Sequence, residues 1–245
     1  MAVPDLVRKA FAELLGSALL AATVVGSGIA AQRLSPDDVG LQLLENALIT
    51  GAVLVALILA LGPVSAAFNP VVTLAERCFG ALSTLAAATF IAAQVIGCCL
   101  GVVLANLMFE LDAVDLSGTE RSAPALWLAE VVATFGLLVV VFGVVRSGRS
   151  AHVAYAVGGY ITAAYWFTSS TSFANPAITV GRMLSDTFAG IAPGSAPAFV
   201  LAQLVGGALA VGAVLVLYPR PDLLAGDLTR LSDDRPPALR TGEPS

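Results

Sequence analysis

Two Asn-Pro pairs carry the first chemical signal in this sequence. Asn69-Pro70-Val71-Val72-Thr73 and Asn175-Pro176-Ala177-Ile178-Thr179 open two short apolar stretches, about 69–79 and 176–185. Asn-Pro is a helix start. The Asn side chain accepts from a free N–H, and Pro suits the first turn because its missing N–H needs no partner there. Neither stretch reaches the roughly 20 residues that a helix needs to cross a bilayer. A helix that begins inside a bilayer exposes four unsatisfied N–H groups. Asn69 and Asn175 can cap part of that deficit, and each also offers an NH₂ donor to a passing solute. Where two such starts converge, the positive ends of two helix dipoles repel a cation or proton and favour a neutral acceptor. A single Asn-Pro would mark a loop; two at matching places favour the paired reading.

Four further polar side chains lie in apolar surroundings. Glu13 and Glu130 each sit inside a long apolar run, where a carboxylate is costly and needs a partner. A proton relay is one role for them. The favoured role is structural, each accepting N–H groups from the non-helical backbone just ahead of a half-helix, with Gln94 and Gln203 as similar supports. No nucleophile–base pair, metal cluster or phosphate loop is present, so no enzyme activity, metal or cofactor is expected. Cys78, Cys98 and Cys99 form no CxxC pair and read as small packing residues.

The elements that must position these side chains are apolar and long. Of 245 residues, 58% are hydrophobic and 12% charged, against about 25% charged in soluble domains. Six apolar runs, roughly 10–31, 43–62, 82–107, 125–145, 151–168 and 196–218, are each read as a spanning helix. The first contains Glu13 and lacks a clear cleavage site, so it is read as a span and not a signal peptide. The two Asn-Pro stretches add two half-helices. The chain also repeats itself. Ala12-Glu13-Leu14-Leu15-Gly16-Ser17 matches Ala129-Glu130-Val131-Val132-Ala133-Thr134; the Asn-Pro motifs match; and Ala93-Gln94-Val95-Ile96-Gly97 matches Ala202-Gln203-Leu204-Val205-Gly206. Each copy holds three spans, an odd number, so the second enters from the opposite side. The half-helices then dip in from opposite faces and meet at their Asn-Pro ends.

Charge orients the array. Arg8, Lys9, Arg77, Arg146, Arg149 and Arg220 fall on one side. Arg33, Arg121 and Arg182 lie on the other among Asp37, Asp38, Glu110, Asp112, Asp115, Glu120 and Asp186. The positive-inside rule puts both termini in the cytoplasm. The chain divides into a cytoplasmic N-terminus (1–9), a channel domain (10–218, with repeats at about 10–108 and 124–218) and a cytoplasmic tail (219–245), read as disordered from its Pro-rich, charged composition. The net charge of −5 lies in loops and tail and points to no nucleic-acid partner. Arg outnumbers Lys eleven to one, a bias of GC-rich bacterial genomes.

Over about 10–218, the paired Asn-Pro motifs, the Ala-Glu pair opening each half, the repeated Gln and the six-plus-two layout resemble the aquaporin, or major intrinsic protein, family. The resemblance implies an all-α, right-handed bundle, a pore in each subunit and a homotetramer in membrane lipid. It also exposes two departures. Val71 stands where most members have Ala. Ile178 stands where an arginine directly follows the second motif and walls the outer constriction. The other constriction positions carry over as Thr50, Ala163 or Ala164, and Ser172. That filter would be wide and without its fixed charge. Arg182, four residues past Ile178, could guard the vestibule; a solvated residue pairing with Asp186 is the favoured reading. Tyr160, Tyr165, Trp166 and Phe167 read as an interfacial belt or span packing, and His152 as a solvated loop residue.

The favoured function is a passive channel for water and small uncharged solutes, either glycerol-like polyols or neutral metalloid hydroxides such as arsenite, in the plasma membrane of a bacterium. The chain is similar to a bacterial subgroup that lacks the filter arginine and is linked to metalloid handling. The competing class is a secondary transporter, since inverted repeats with broken helices also build those.

Overall fold

The computed structural model describes residues 4–219. Among them the regular structure is helical throughout: α1 (Asp5–Leu34), α2 (Val39–Leu61), α3 (Pro70–Cys78), α4 (Thr84–Met108), α5 (Pro124–Arg146), α6 (Val153–Phe167), α7 (Pro176–Gly181) and α8 (Ala196–Leu217). Helices α1, α2, α4, α5 and α8 are long and apolar enough to cross a membrane. Helix α6 has 15 residues, about 22 Å of rise. The 3-10 turn Ser150–His152 leads into it and brings the pair close to the roughly 30 Å of a hydrocarbon core.

Two boundaries differ from those read in the sequence. Helix α1 begins at Asp5, within the expected N-terminal segment 1–9, because Asp5 pairs with Arg8 at 2.7 Å and Lys9 at 3.0 Å in the first turn, where an acid suits the helix dipole. Helix α7 has six residues and passes into a 3-10 turn at Arg182–Leu184, so the second half-helix is shorter than the first. The tail expected over 219–245 lies, beyond residue 219, outside the described residues.

The repeat is visible in the packing. Helix α1 runs along α4 and α5 along α8, while α2 and α6 meet between the halves. The two long crossings use the same device. A side chain at Gly97 would collide with the Leu14 carbonyl, and one at Gly206 with the Val131 carbonyl. Each carbonyl belongs to the residue after Glu13 or Glu130, so glycine lets the backbones close in beside the buried carboxylates.

The bundle combines a largely apolar core with buried polar side chains and an apolar exterior. Glu13, Glu130, Gln94, Gln203, Asn46 and Asn106 are buried, while Leu48, Ile96, Leu100, Leu128, Leu201 and Leu209 face outward. An apolar solvent favours that arrangement, because each interior polar group must find its partner inside the protein.

Candidate functional site

The half-helices meet start to start. Asn69 caps α3 by accepting from the Val71 N–H at 3.0 Å, and its amide donates to the Ala174 carbonyl at 2.7 Å. Asn175 caps α7, accepting from Ala177 and Ile178 at 3.0 and 3.3 Å, and donates to the Phe68 carbonyl at 2.8 Å. Each Asn is thus bonded to the carbonyl just ahead of the other. One N–H of each amide is taken up in this way, and the second remains for a solute.

The chain entering each half-helix is held by a carboxylate. Glu13 accepts the N–H groups of Ala67 at 2.9 Å and Phe68 at 2.7 Å, the Ser65 hydroxyl, and the Gln94 amide at 2.8 Å. Glu130 accepts from Phe173 and Ala174, both at 2.9 Å, and from Gln203 at 2.6 Å. The Gln amides also donate to Thr73 and Thr179, each at 2.9 Å. These segments need holding. Phe68, Thr171, Ser172 and Ala174 all have positive φ, a conformation costing on the order of 1–3 kcal/mol for such residues unless the surroundings enforce it.

Two cavities lie within the bundle. One, of about 360 Å³, is lined by Lys9, Ile58, Glu76, Phe90 and Val157 among others. The other, of about 60 Å³, is lined by Leu20, Val24, Thr50, Phe68, Asn69, Asn175 and Ile178 among others. Ala67 and Val72, on either side of the start of α3, line both. Both Asn side chains line the smaller cavity.

Thr50, Ser172 and Ile178 all line the smaller cavity. Ala163 does not. It is exposed on the outer face of α6, while Ala164 is fully buried but likewise off the cavity; Ile161 and Tyr165 are the α6 residues in its wall. The carried-over register is therefore off by one or two residues, and the face of a helix turns by 100° per residue. Tyr165 is also corrected from belt to wall, with its hydroxyl 3.3 Å from that of Thr50.

Arg182 is corrected as well. It is 3% exposed, lines the smaller cavity, and makes no ion pair with Asp186. Asp186 accepts instead from the Ser117 hydroxyl and the Gly118 N–H. The outer wall therefore does hold a fixed cation, contrary to the sequence reading. Farther out, Arg121 sits 5.0 Å from the centroid of Phe173 and donates to the Gly190 carbonyl. Burial pushes its guanidinium below the ordinary range, while Glu130 and Tyr165 pull it back up.

Among the motif residues, Pro70 and Pro176 occupy first-turn positions, and Val71 and Ala177 are buried. The larger side chain of Val71 is matched on α8: a methyl at Gly207 would collide with it. Gly207, Ile161, Tyr165 and Phe173 are site residues that motif reading misses. Gly206-Gly207 stands where the first half has Gly97-Cys98, and that second glycine is the available signal for Gly207.

Residues 1–152 match the family described as "Major intrinsic protein". The chain is 50% identical over 208 residues to aquaglyceroporin AqpS of Rhizobium meliloti (strain 1021), covering 84% of this chain and 88% of that protein. Its fold is similar to the X-ray structure of the aquaglyceroporin from Plasmodium falciparum, with a TM-score of 0.69, 20% identity, and coverage of 89% of this chain and 99% of the other.

Proposed function

The chain belongs to the major intrinsic protein family, and from that we propose that its pore carries glycerol-sized polyols and neutral metalloid hydroxides such as arsenite as well as water, while refusing protons and ions. Membership makes it a membrane protein and a passive channel for water and small solutes, not an enzyme. The observation that carries the finer reading is Ile178: an apolar side chain lies in the cavity wall directly after the second Asn-Pro-Ala, beside the small side chains of Thr50 and Ser172. In a wall of that kind the carbon or metalloid centre of a solute meets an apolar side chain instead of a cation that binds water tightly.

The lumen has two characters. Leu20, Val24, Ile161 and Ile178 form apolar wall, while Asn69, Asn175, Ser172 and Thr50 bring hydrogen-bonding groups to it. A polyol presents hydroxyls along one edge and C–H groups along the other, and both find a match. The Asn-capped helix starts oppose cations and protons by the dipole effect, for which aquaporin-type pores are themselves a known case. The similarity to a protein named an aquaglyceroporin supports the polyol reading. The Arg and Lys distribution favours both termini in the cytoplasm, and the family resemblance supports a bacterial plasma membrane and a homotetramer as part of the same proposal.

The test is stopped-flow light scattering on proteoliposomes, comparing water, glycerol, urea and arsenite. Glycerol or arsenite flux well above empty liposomes is the expected result. A wild type that passes water alone would sink the proposal.

A further inference from the structure

Arg182 is the first residue of the 3-10 turn that continues α7, one helical turn beyond Ile178 and so on the same side. It is 3% exposed, yet it lines the cavity with Thr50, Tyr165, Ser172, Phe173 and Ile178. A buried cation is costly and persists only where its surroundings hold it. Here Nε donates to the Ala189 carbonyl, and the guanidinium carbon lies 3.4 Å from the centroid of the Phe173 ring. A cation over an aromatic face is attracted by the ring quadrupole.

The seat is itself built. Phe173 packs edge-on against Phe199 with centroids 5.2 Å apart, and its N–H is bonded to buried Glu130 at 2.9 Å. One carboxylate therefore fixes the backbone that presents the ring, and the ring fixes the cation. The charge is left unpaired: among the described residues both ion pairs belong to Asp5, and no described residue accepts a hydrogen bond from the terminal nitrogens of Arg182. Beside it, the Ser172 hydroxyl is buried, lines the same cavity, and has no hydrogen-bond partner among the described residues. A buried hydroxyl with no protein partner needs one from water or a solute.

We propose that Arg182 is the charged specificity residue of this channel, opposing cations and, with the Ser172 hydroxyl, hydrogen-bonding the hydroxyls of a passing neutral solute, while Ile178 sets the width. This rests on the channel reading above. It goes beyond that reading by separating charge from width: the cation is delivered from four residues downstream of the position that walls the pore, so the two properties can be altered independently.

The experiment uses the full chain in proteoliposomes, with Arg182→Met and Arg182→Lys. Potassium and proton leak are measured per unit of water permeability, together with the glycerol-to-water and arsenite-to-water ratios. Folding is checked by elution as one species and by melting in detergent. In Arg182→Met, cation leak per unit of water flux should rise at least about tenfold, as loss of a fixed charge lowers the barrier exponentially. Arg182→Lys should hold the leak within about twofold of wild type but shift the solute-to-water ratios by about threefold or more, because an ammonium keeps the charge and loses the planar donor fork. A folded Arg182→Met at the wild-type leak overturns the proposal. So does Arg182→Lys with unchanged solute ratios, which decides the matter even if the Met variant does not fold. A wild type that excludes both glycerol and arsenite would count against the solute reading alone, since the leak measurement still reports on Arg182.

Discussion

Ile178 and Arg182 occupy one wall, and the distance between them bears on what a single substitution can do. Ile178→Arg would place a second long cation beside one that is already fixed on Phe173. Its five donors would bind water tightly and narrow the opening. A larger neutral solute cannot replace all of those water contacts. If it forfeits one or two hydrogen bonds at about 1 kcal/mol each, its flux should fall about tenfold relative to that of water. The measurement is the ratio of glycerol or arsenite permeability to water permeability, at matched protein loading. An unchanged ratio would show that Ile178 does not set the width. The carboxylates call for a different readout. Glu13 takes four donors and Glu130 three. Glu→Ala at either site leaves those donors buried and unpaired at about 1–3 kcal/mol each, a large fraction of a typical 5–15 kcal/mol net stability. Folded yield should collapse. Glu→Gln keeps one accepting oxygen and should be milder. A well-folded Glu13→Gln whose solute flux had become abolished and whose wild-type flux followed a proton gradient would instead assign the carboxylate to proton transport.

At the scale of elements, the informative contact joins the two halves: Val71 on α3 against Gly207 on α8. Gly207→Ala should overpack this contact and destabilise by about 1–3 kcal/mol. Val71→Ala should restore room, so that the double variant melts above Gly207→Ala alone. A melting series in detergent gives the coupling; strictly additive shifts would mean the two residues do not meet. That contact also marks how far the sequence can be read. Span positions are legible because apolar length alone identifies them. Half-helix starts are legible because Asn and Pro have separate physical reasons to stand there, and the Glu-to-backbone bonds because a carboxylate in an apolar run must have a partner. The rotation of α6 is not legible. A helix that is apolar all round carries no face signal, so Ala163 and Tyr165 cannot be told apart until the neighbouring helices are in place. The burial of Arg182 is hidden for a related reason. An arginine four residues before an aspartate reads as a solvated pair, and only the tertiary position of Phe173 and Ala189 draws it inward while Ser117 and Gly118 occupy Asp186.

For the whole molecule, the inverted repeat admits two kinds of machine, and the junction between the halves separates them. A transporter of this symmetry works by rocking one repeat or bundle against the other around a central site. Here the centre is the joint itself. Asn69 of the first half is bonded to the Ala174 carbonyl of the second, and Asn175 of the second to the Phe68 carbonyl of the first. Both carbonyls belong to residues with positive φ, whose own N–H groups are held by Glu13 and Glu130. Rocking the halves would break both cross-bonds and disturb two restrained segments together. The two cavities, meanwhile, already share Ala67 and Val72 in their linings without any such movement. A fixed path predicts particular kinetics. Glycerol flux in proteoliposomes should rise in proportion to its gradient, without saturating over concentrations where a carrier with a millimolar site would level off. It should be the same in either direction for equal gradients. Collapsing a proton or sodium gradient with an ionophore should leave it unchanged. Saturation, or uphill accumulation of solute when an ion gradient is imposed, would show that the halves move and that the cross-bonds between them are broken and remade in each cycle.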